Sequence, residues 1–418
     1  MSEGPPKNPV TDTSVHAAQN EGLGTRVSVT ARLRWVVLSV FVLSTAINFL
    51  DRQALSALSP LVRAEFHLTG AQYGWIVAAC AITYGASAPF AGMLIDRIGL
   101  NRAISYAIGV WSCAGIATGF TQTLGGLVGC RAVLGAAEAA GIPAAGKAIH
   151  QYLRPAERAL GNALNQGGVS LGMVAAPPLA TWLAVNWGWR SAFIVTGMLG
   201  LAWIPLWRWM SRVAVSVPAP KPESATVLHD RRLWIFVAAN ALSMIPYVLW
   251  TYWTTLYLVD VHKLTLVESA WYAWIPPVFA TAGGVAGGWA SMRWMNRGVA
   301  APAARFRACV GAGLLSLGTA AVPAAPAAGW AAAGISLSFF AAAAFSVNMY
   351  TLPLDVFGGA HAAFAVSTLT ASVGAIAAVI SPPIGYTIDR WGYAPVTTVA
   401  AAMPLMACGV LWRWGRGR

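Results

Sequence analysis

Stretches of about 20 consecutive apolar residues recur along almost the whole of this 418-residue chain, and that recurrence leaves little choice of fold. Lipid offers no water to backbone N–H and C=O groups, so open segments cross it only as helices. Twelve spans are predicted, at 33–58, 71–95, 103–122, 124–150, 159–186, 190–210, 233–259, 267–292, 306–325, 328–353, 362–388 and 393–412. The chain is 57% hydrophobic and only 10% charged, against about 25% charged in soluble domains. An ordinary soluble enzyme is thereby excluded, and an all-α integral membrane protein is expected.

An even number of crossings puts both termini on one side, and Lys and Arg say which. With the N-terminus inside, the cytoplasmic ends and loops carry Lys7, Arg26, Arg32, Arg34, Arg97, Arg102, Arg154, Arg158, Arg208, Arg212, Lys221, Arg231, Arg232, Arg293, Arg297, Arg305, Arg307, Arg413, Arg416 and Arg418. The outer loops carry Arg63, Arg190, Lys263 and Arg390. Twenty against four is a positive-inside bias, so both ends are expected in the cytoplasm. Topology and anionic headgroups account for the net charge of +13, and nucleic acid is not an expected partner. Residues 1–32 read as a disordered cytoplasmic tail with no removable leader. Cys80, Cys113, Cys130, Cys309 and Cys408 are odd in number, scattered through apolar spans and without metal-like spacing, so they read as packing residues.

Residues 213–232, with Pro218, Pro220, Pro222 and several charges, have the composition of a linker. Pro177-Pro178 precedes Trp187-Gly188-Trp189, and Pro382-Pro383 precedes Trp391-Gly392-Tyr393. The offsets, 382 − 177 = 205 and 391 − 187 = 204, are about half the chain and make the fifth and eleventh spans equivalents. The expected division is a bundle of six spans over 33–212, the linker, a second bundle over 233–412, and a short tail over 413–418. Transporter repeats of this kind rock about a ligand site near mid-membrane, which places function on the first, fourth, seventh and tenth spans.

Four charges interrupt the apolar pattern: Asp51 and Arg52 in the first span, Arg131 and Glu138 in the fourth. Each costs roughly 2.5–3.5 kcal/mol at a helix centre, so together they ask for about 10 kcal/mol unless they pair, face water or meet a ligand. Arg52 is the better anchor for a carboxylate, because guanidinium stays charged and offers a planar fork. Asp51 and Arg52 point about 100° apart and need not pair with each other. Arg131 and Glu138 lie two turns apart on one face, with Gly135 between them admitting a close neighbour, and both are expected to look into one cavity. A structural salt bridge is the plainer alternative for each pair.

Gly92-Met93-Leu94-Ile95-Asp96-Arg97-Ile98-Gly99-Leu100-Asn101-Arg102, between the second and third spans, carries the spacing G-x-L-x-D-R-x-G-x-x-R. It resembles the signature loop of the major facilitator superfamily, in which Asp96, with Arg97 and Arg102, would gate by latching one conformation across the bundle interface. The second-half counterpart, Gly288 to Gly298, keeps Arg293 but has Met292 in place of the acid. A narrower resemblance rests on Asn48-Phe49-Leu50-Asp51-Arg52 with Leu55-Ser56, and on Arg131, Gly135 and Glu138 with Pro143 and Lys147. Glu157-Arg158-Ala159, Pro177-Pro178 and Gly188-Trp189-Arg190 with Phe193 continue it. With Ala273-Trp274-Ile275-Pro276 and Leu352-Pro353-Leu354-Asp355-Val356-Phe357 it looks most like the hexuronate and sugar-acid branch of the anion:cation symporter family. The resemblance covers roughly residues 33–410.

That resemblance implies a major facilitator fold of twelve helices in two pseudo-symmetric six-helix bundles. It implies import of a small carboxylate-bearing solute with protons, sodium being the alternative coupling ion, across a bacterial inner membrane. It places Asp51 and Glu138 at the proton-carrying acids, Arg52 at the substrate carboxylate and Arg131 at the partner coupling them. Tyr84 falls where the family contacts substrate, and Asn348, Tyr350 and Thr370 where it closes the site from the second half. From the residues themselves, Asn165 and Gln166 carry amides that need a cavity or a helix interface. Trp250, one turn from Trp253, could stack on a ligand or simply pack. Asp355 beside Pro353 reads as a helix-end latch. No phosphate-cradling loop, metal-ligand spacing or nucleophile–base pair is found, so no cofactor is expected. The rivals are a proton-exchange exporter of amphipathic compounds, which the absence of G-P-x-x-G-G in the fifth span disfavours, and a transport-like sensor.

Overall fold

The computed structural model describes residues 31–154, 157–213, 229–357 and 359–415. The expectations for the tails and linker therefore fall largely outside the described residues, as do Lys7, Arg26, Lys221, Arg416 and Arg418. Among the described residues every regular element is helical. Nine helical segments are long and apolar enough to cross a membrane, and the pair Gly70–Ala88 and Phe90–Ile98 makes a tenth. Leu100–Thr118 and the pair Leu266–Ala273 and Ile275–Met295 complete the twelve.

The first span is Ala31–Ala57, followed by a short helix, Ser59–Glu65. The second, Gly70–Ile98, is bent by 49° at Pro89, whose missing N–H removes a helix hydrogen bond. The third is Leu100–Thr118. The fourth is broken, Leu124–Glu138 and Gly141–Tyr152, and so is the seventh, Arg231–Ser243 and Ile245–Asp260. Pro246 and Pro276-Pro277 lie at the first positions after the breaks of the seventh and eighth spans, where a missing N–H costs nothing. The fifth and sixth spans are Arg158–Trp187 and Trp189–Val213. Ala301–Ser316, extended by a 3-10 segment to Ala324, is the ninth. Ala328–Phe357, Gly359–Trp391 and Tyr393–Gly415 are the tenth to twelfth.

Four helix ends repeat one device. Gly99, Gly188, Gly298 and Gly392, after the second, fifth, eighth and eleventh spans, have φ of 84°, 82°, 84° and 73°. Residues with a side chain rarely adopt such values, so each span turns sharply into the next only because glycine stands there.

Spans one to six pack among themselves, and seven to twelve among themselves. The halves meet where the second span lies along the eleventh and the fifth along the eighth. Call the face holding Ala31 and Gly415 the terminal face. Toward the opposite, far face one apolar cluster runs through both halves, joining Leu55, Tyr73, Ile76, Met173 and Phe193 to Trp250, Trp253, Tyr257 and Ile384. Toward the terminal face each half keeps its own cluster, around Trp207 in the first and Phe345 in the second.

Polar contacts follow the same division. Asp389, at the far end of the eleventh span, accepts from Gly70 N at 2.8 Å and Ala71 N at 3.1 Å, so a carboxylate of one half caps a helix of the other. Arg63 reaches Asp260 at 3.2 Å and Asp389 at 3.7 Å. Ser56 donates to Thr251 O and Tyr73 to Tyr252 O. At Gly385 an added Cβ would stand 1.9 Å from Gly70 O, so this crossing admits only glycine. Midway, Ser170 and Thr281 share a hydrogen bond at 2.9 Å. Beyond it toward the terminal face the halves keep separate apolar clusters, and Phe90, Met93, Val285 and Trp289 are exposed. The molecule is closed at its far face and open at its terminal face.

Candidate functional site

The site begins with the break in the fourth span. Leu124–Glu138 ends on Glu138, and Gly135 lets the second span approach so closely that a Cβ there would stand 2.2 Å from Cys80 O. Glu138 is thereby held in the bundle with its side chain fully buried. Its Oε2 accepts from Arg52 Nε at 3.0 Å and Nη2 at 2.5 Å, whereas Oε1 has no hydrogen-bond partner. Arg52 alone of the four embedded charges reaches open space, its side chain being 21% exposed. Its guanidinium lies 5.0 Å from the ring centroid of Tyr84 and 5.4 Å from that of Phe49, which hold the fork in place.

Asp51 turns the other way. At 1% exposure, its Oδ1 accepts from the Thr196 hydroxyl of the sixth span at 2.8 Å, and its Oδ2 has no partner. Gly115 of the third span leaves the room it occupies, since a Cβ there would be 3.2 Å from Oδ2. Arg131, 2% exposed, packs over Phe193 at 4.9 Å, with Nε and Nη2 unpartnered. The expectation that Arg131 and Glu138 share one open cavity is therefore corrected. Burial and the sixth span hold Arg131 inside the first bundle beside Asp51, and only the Arg52–Glu138 pair borders the space between the halves.

The other expected residues divide similarly. Tyr84 is half-buried, 3.7 Å from where a Cβ of Gly374 in the eleventh span would stand, and within electrostatic reach of Tyr350. Tyr350 is half-buried and within electrostatic reach of Thr370, whose hydroxyl donates to Val366 O. These three bring both halves to the site. Asn165 accepts from Thr45 at 2.9 Å across the first and fifth spans, and Gln166 is exposed. Asn348 is not at the opening: fully buried, it donates to Gly287 O and Ala344 O and ties the tenth span to the eighth. Trp250 is not there either. It packs edge-on against Tyr257 in the closed far side and borders a small cavity of about 30 Å³ with Gln53, Ser56 and Met173.

At the terminal face Asp96 bonds Lys147 at 2.7 Å, and Lys147 also donates to Ile95 O. Both residues belong to the first half, so in this conformation Asp96 does not reach across. Arg97 and Arg102 are exposed and make no ion pair among the described residues. Asp355 pairs with Arg305 between the tenth and ninth spans. The five cysteines are unpaired, and no group of three or more His, Cys, Asp or Glu among the described residues could hold a metal.

Sequence reasoning missed Tyr247 and Tyr252. Both are half-buried and within electrostatic reach of Arg52, and the Tyr247 ring lies 4.9 Å from Phe339. They sit on the half-exposed face of the same helix whose tryptophans turn inward, and only the position of the break at Met244 sets that phase. Thr196 and the far-face acid Asp389 were missed as well. A signal for Asp389 existed: Gly92 to Gly99 and Gly385 to Gly392 share G-x-x-I-D-R-x-G, one at the terminal end of the second span, the other at the far end of the eleventh.

Residues 41–382 match the family described as Major Facilitator Superfamily. The hexuronate transporter of Escherichia coli (strain K12) is 27% identical over 406 residues, covering 91% of this chain and 93% of that protein. The galacturonate transporter of Dickeya chrysanthemi is 28% identical over 284 residues, covering 62% and 82%. Among solved structures, a bacterial homologue of the human lysosomal transporter Spinster, inward-facing and unoccupied, superposes with a TM-score of 0.75 at 19% identity over 93% of this chain and 98% of that one. That last likeness is one of fold.

Proposed function

The chain belongs to the Major Facilitator Superfamily and is a multi-pass membrane transporter, not an enzyme, and from that premise we propose that it imports a small organic anion with protons. A hexuronate or related sugar acid is the proposed solute, as the names of its relatives suggest. The positive-inside bias supports a cytoplasmic terminal face, hence an inward-open conformation here, in a bacterial inner membrane. The working units are residues 33–212 and 233–412, joined through 213–232.

One observation carries the reading: the Arg52 guanidinium, on a side chain only partly accessible, is already occupied, by a carboxylate sealed from water. A solute carboxylate entering the opening competes with Glu138 for the same fork. If it wins, Glu138 becomes a buried anion without a countercharge, which costs several kcal/mol, and a proton removes that cost. Anion and proton binding are thus linked, and each strengthens the other by the same factor. Tyr84, Tyr350 and Thr370 offer hydroxyls from both halves to a polyhydroxylated chain, and closing the halves around it would complete the site. Asp51, out of solute reach, is the second proposed proton carrier, with Arg131 answering its charge.

The test is uptake into proteoliposomes across a panel of hexuronates, aldonates and simple carboxylates, with and without an inward pH gradient. A sugar acid is expected to accumulate uphill only with the gradient. Accumulation indifferent to the gradient, or none of any carboxylate, would refute it.

A further inference from the structure

The Thr196 hydroxyl lies between two acceptors, 2.8 Å from Asp51 Oδ1 and 3.2 Å from the carbonyl of Phe193, and has one hydrogen to give. It is 2% exposed, so no water competes for either bond. Among the described residues nothing else hydrogen-bonds the Asp51 carboxyl, whose Oδ2 is unpartnered in the room left by Gly115.

We propose that Thr196 is a positioning residue for proton coupling, its hydroxyl reversing direction so that Asp51 stays bonded both ionised and neutral. This rests on the reading of Asp51 as a proton carrier. With Asp51 ionised, Thr196 donates to Oδ1. With Asp51 protonated, the acid donates to Thr196 Oγ, and the Thr196 hydrogen turns to Phe193 O. The proton is exchanged with water when movement of the halves opens a path to Asp51; at Thr196 a single O–H changes orientation and no heavy atom need move. The groups within electrostatic reach of Asp51 are Arg131 and Glu138 from the fourth span, Cys80 from the second and Arg52 on its own helix. Among the described residues the third and sixth spans bring no titratable group to it, so Thr196 is the sixth span's one handle on the acid.

A hydrogen bond to a carboxylate is stronger than one to a neutral acid. Removing the hydroxyl therefore makes Asp51 hold its proton to higher pH. The experiment measures gradient-driven sugar-acid uptake in proteoliposomes from about pH 5 to 9 for the parent, Thr196→Val and Thr196→Ser, with solute exchange at zero gradient as the folding control. Thr196→Val is expected to move the pH midpoint up by about one unit while exchange persists, and Thr196→Ser to restore the parent midpoint. If the valine variant fails to fold, Thr196→Ala replaces it. An unmoved midpoint without the hydroxyl, or an equal shift with serine, overturns the proposal. Asp51→Asn run alongside separates the premises: should it still accumulate solute uphill with the parent's pH profile, Asp51 carries no coupled proton and the proposal goes with that assignment.

Discussion

At the scale of residues, the proposed function turns on an arginine with two claimants, Glu138 in this conformation and the solute carboxylate assigned to it. Truncating Arg52 leaves both Glu138 and any solute carboxylate without a cation in a low-dielectric site. Breaking such a pair costs about 3–5 kcal/mol, equivalent to roughly two to three and a half orders of magnitude in affinity. Arg52→Ala is therefore expected to lose hexuronate binding in a calorimetric titration while the protein remains folded; an affinity within a few-fold of the parent would remove Arg52 from the solute site. Glu138→Gln keeps the shape and removes the charge that must be neutralised. It is expected to exchange solute across a liposome at near-parent rates yet fail to concentrate it against a gradient, and uphill uptake by this variant would end the coupling role of Glu138. The four embedded charges were legible as candidates because lipid makes each conspicuous. Their directions were not, since a step of 100° along the first helix decides that Arg52 meets the opening and Asp51 meets Thr196.

At the scale of elements, the far face is held by helix ends. Asp389 caps the second span from the other half, and Gly385 lets the two backbones cross. A side chain at 385 must push these spans apart. In a cysteine-free background, Ser56→Cys beside the sealed cavity is expected to react slowly with a membrane-impermeant maleimide added at the far face, and several-fold faster once Gly385→Val is added. Equal rates would mean that this crossing does not hold the face closed. A second contact belongs to the first half alone: the Trp189 indole N–H, then Arg190, hold the Glu65 carboxyl below its ordinary value. A group depressed in the folded state lends its stability above the unfolded pKa and loses it only as pH falls through the folded one. Thermal melts of Glu65→Gln are thus expected to lie below the parent at pH 7 and to converge only well under about pH 4.3; convergence already at pH 6 would contradict this. The spans themselves were readable from apolar run length. The breaks at Ala139–Ala140 and Met244 were not, because neither glycine nor proline occupies those residues, and with them went the face on which Trp250 lies.

At the scale of the molecule, one shared apolar core near the far face and two separate cores near the terminal face make a hinge-like body that can open on one side at a time. The halves were visible in the 204–205-residue echo of Pro-Pro and Gly, but which face is closed depends on contacts between distant helices that no local pattern encodes. A solute carboxylate is proposed to displace Glu138 from Arg52 and leave it protonated. Calorimetric titration of a hexuronate into the purified protein, repeated in buffers of different ionisation enthalpy at one pH, counts the protons taken up on binding. About one proton per anion is expected in the parent, falling toward zero in Glu138→Gln; tight binding with no proton uptake in the parent would rule this exchange out.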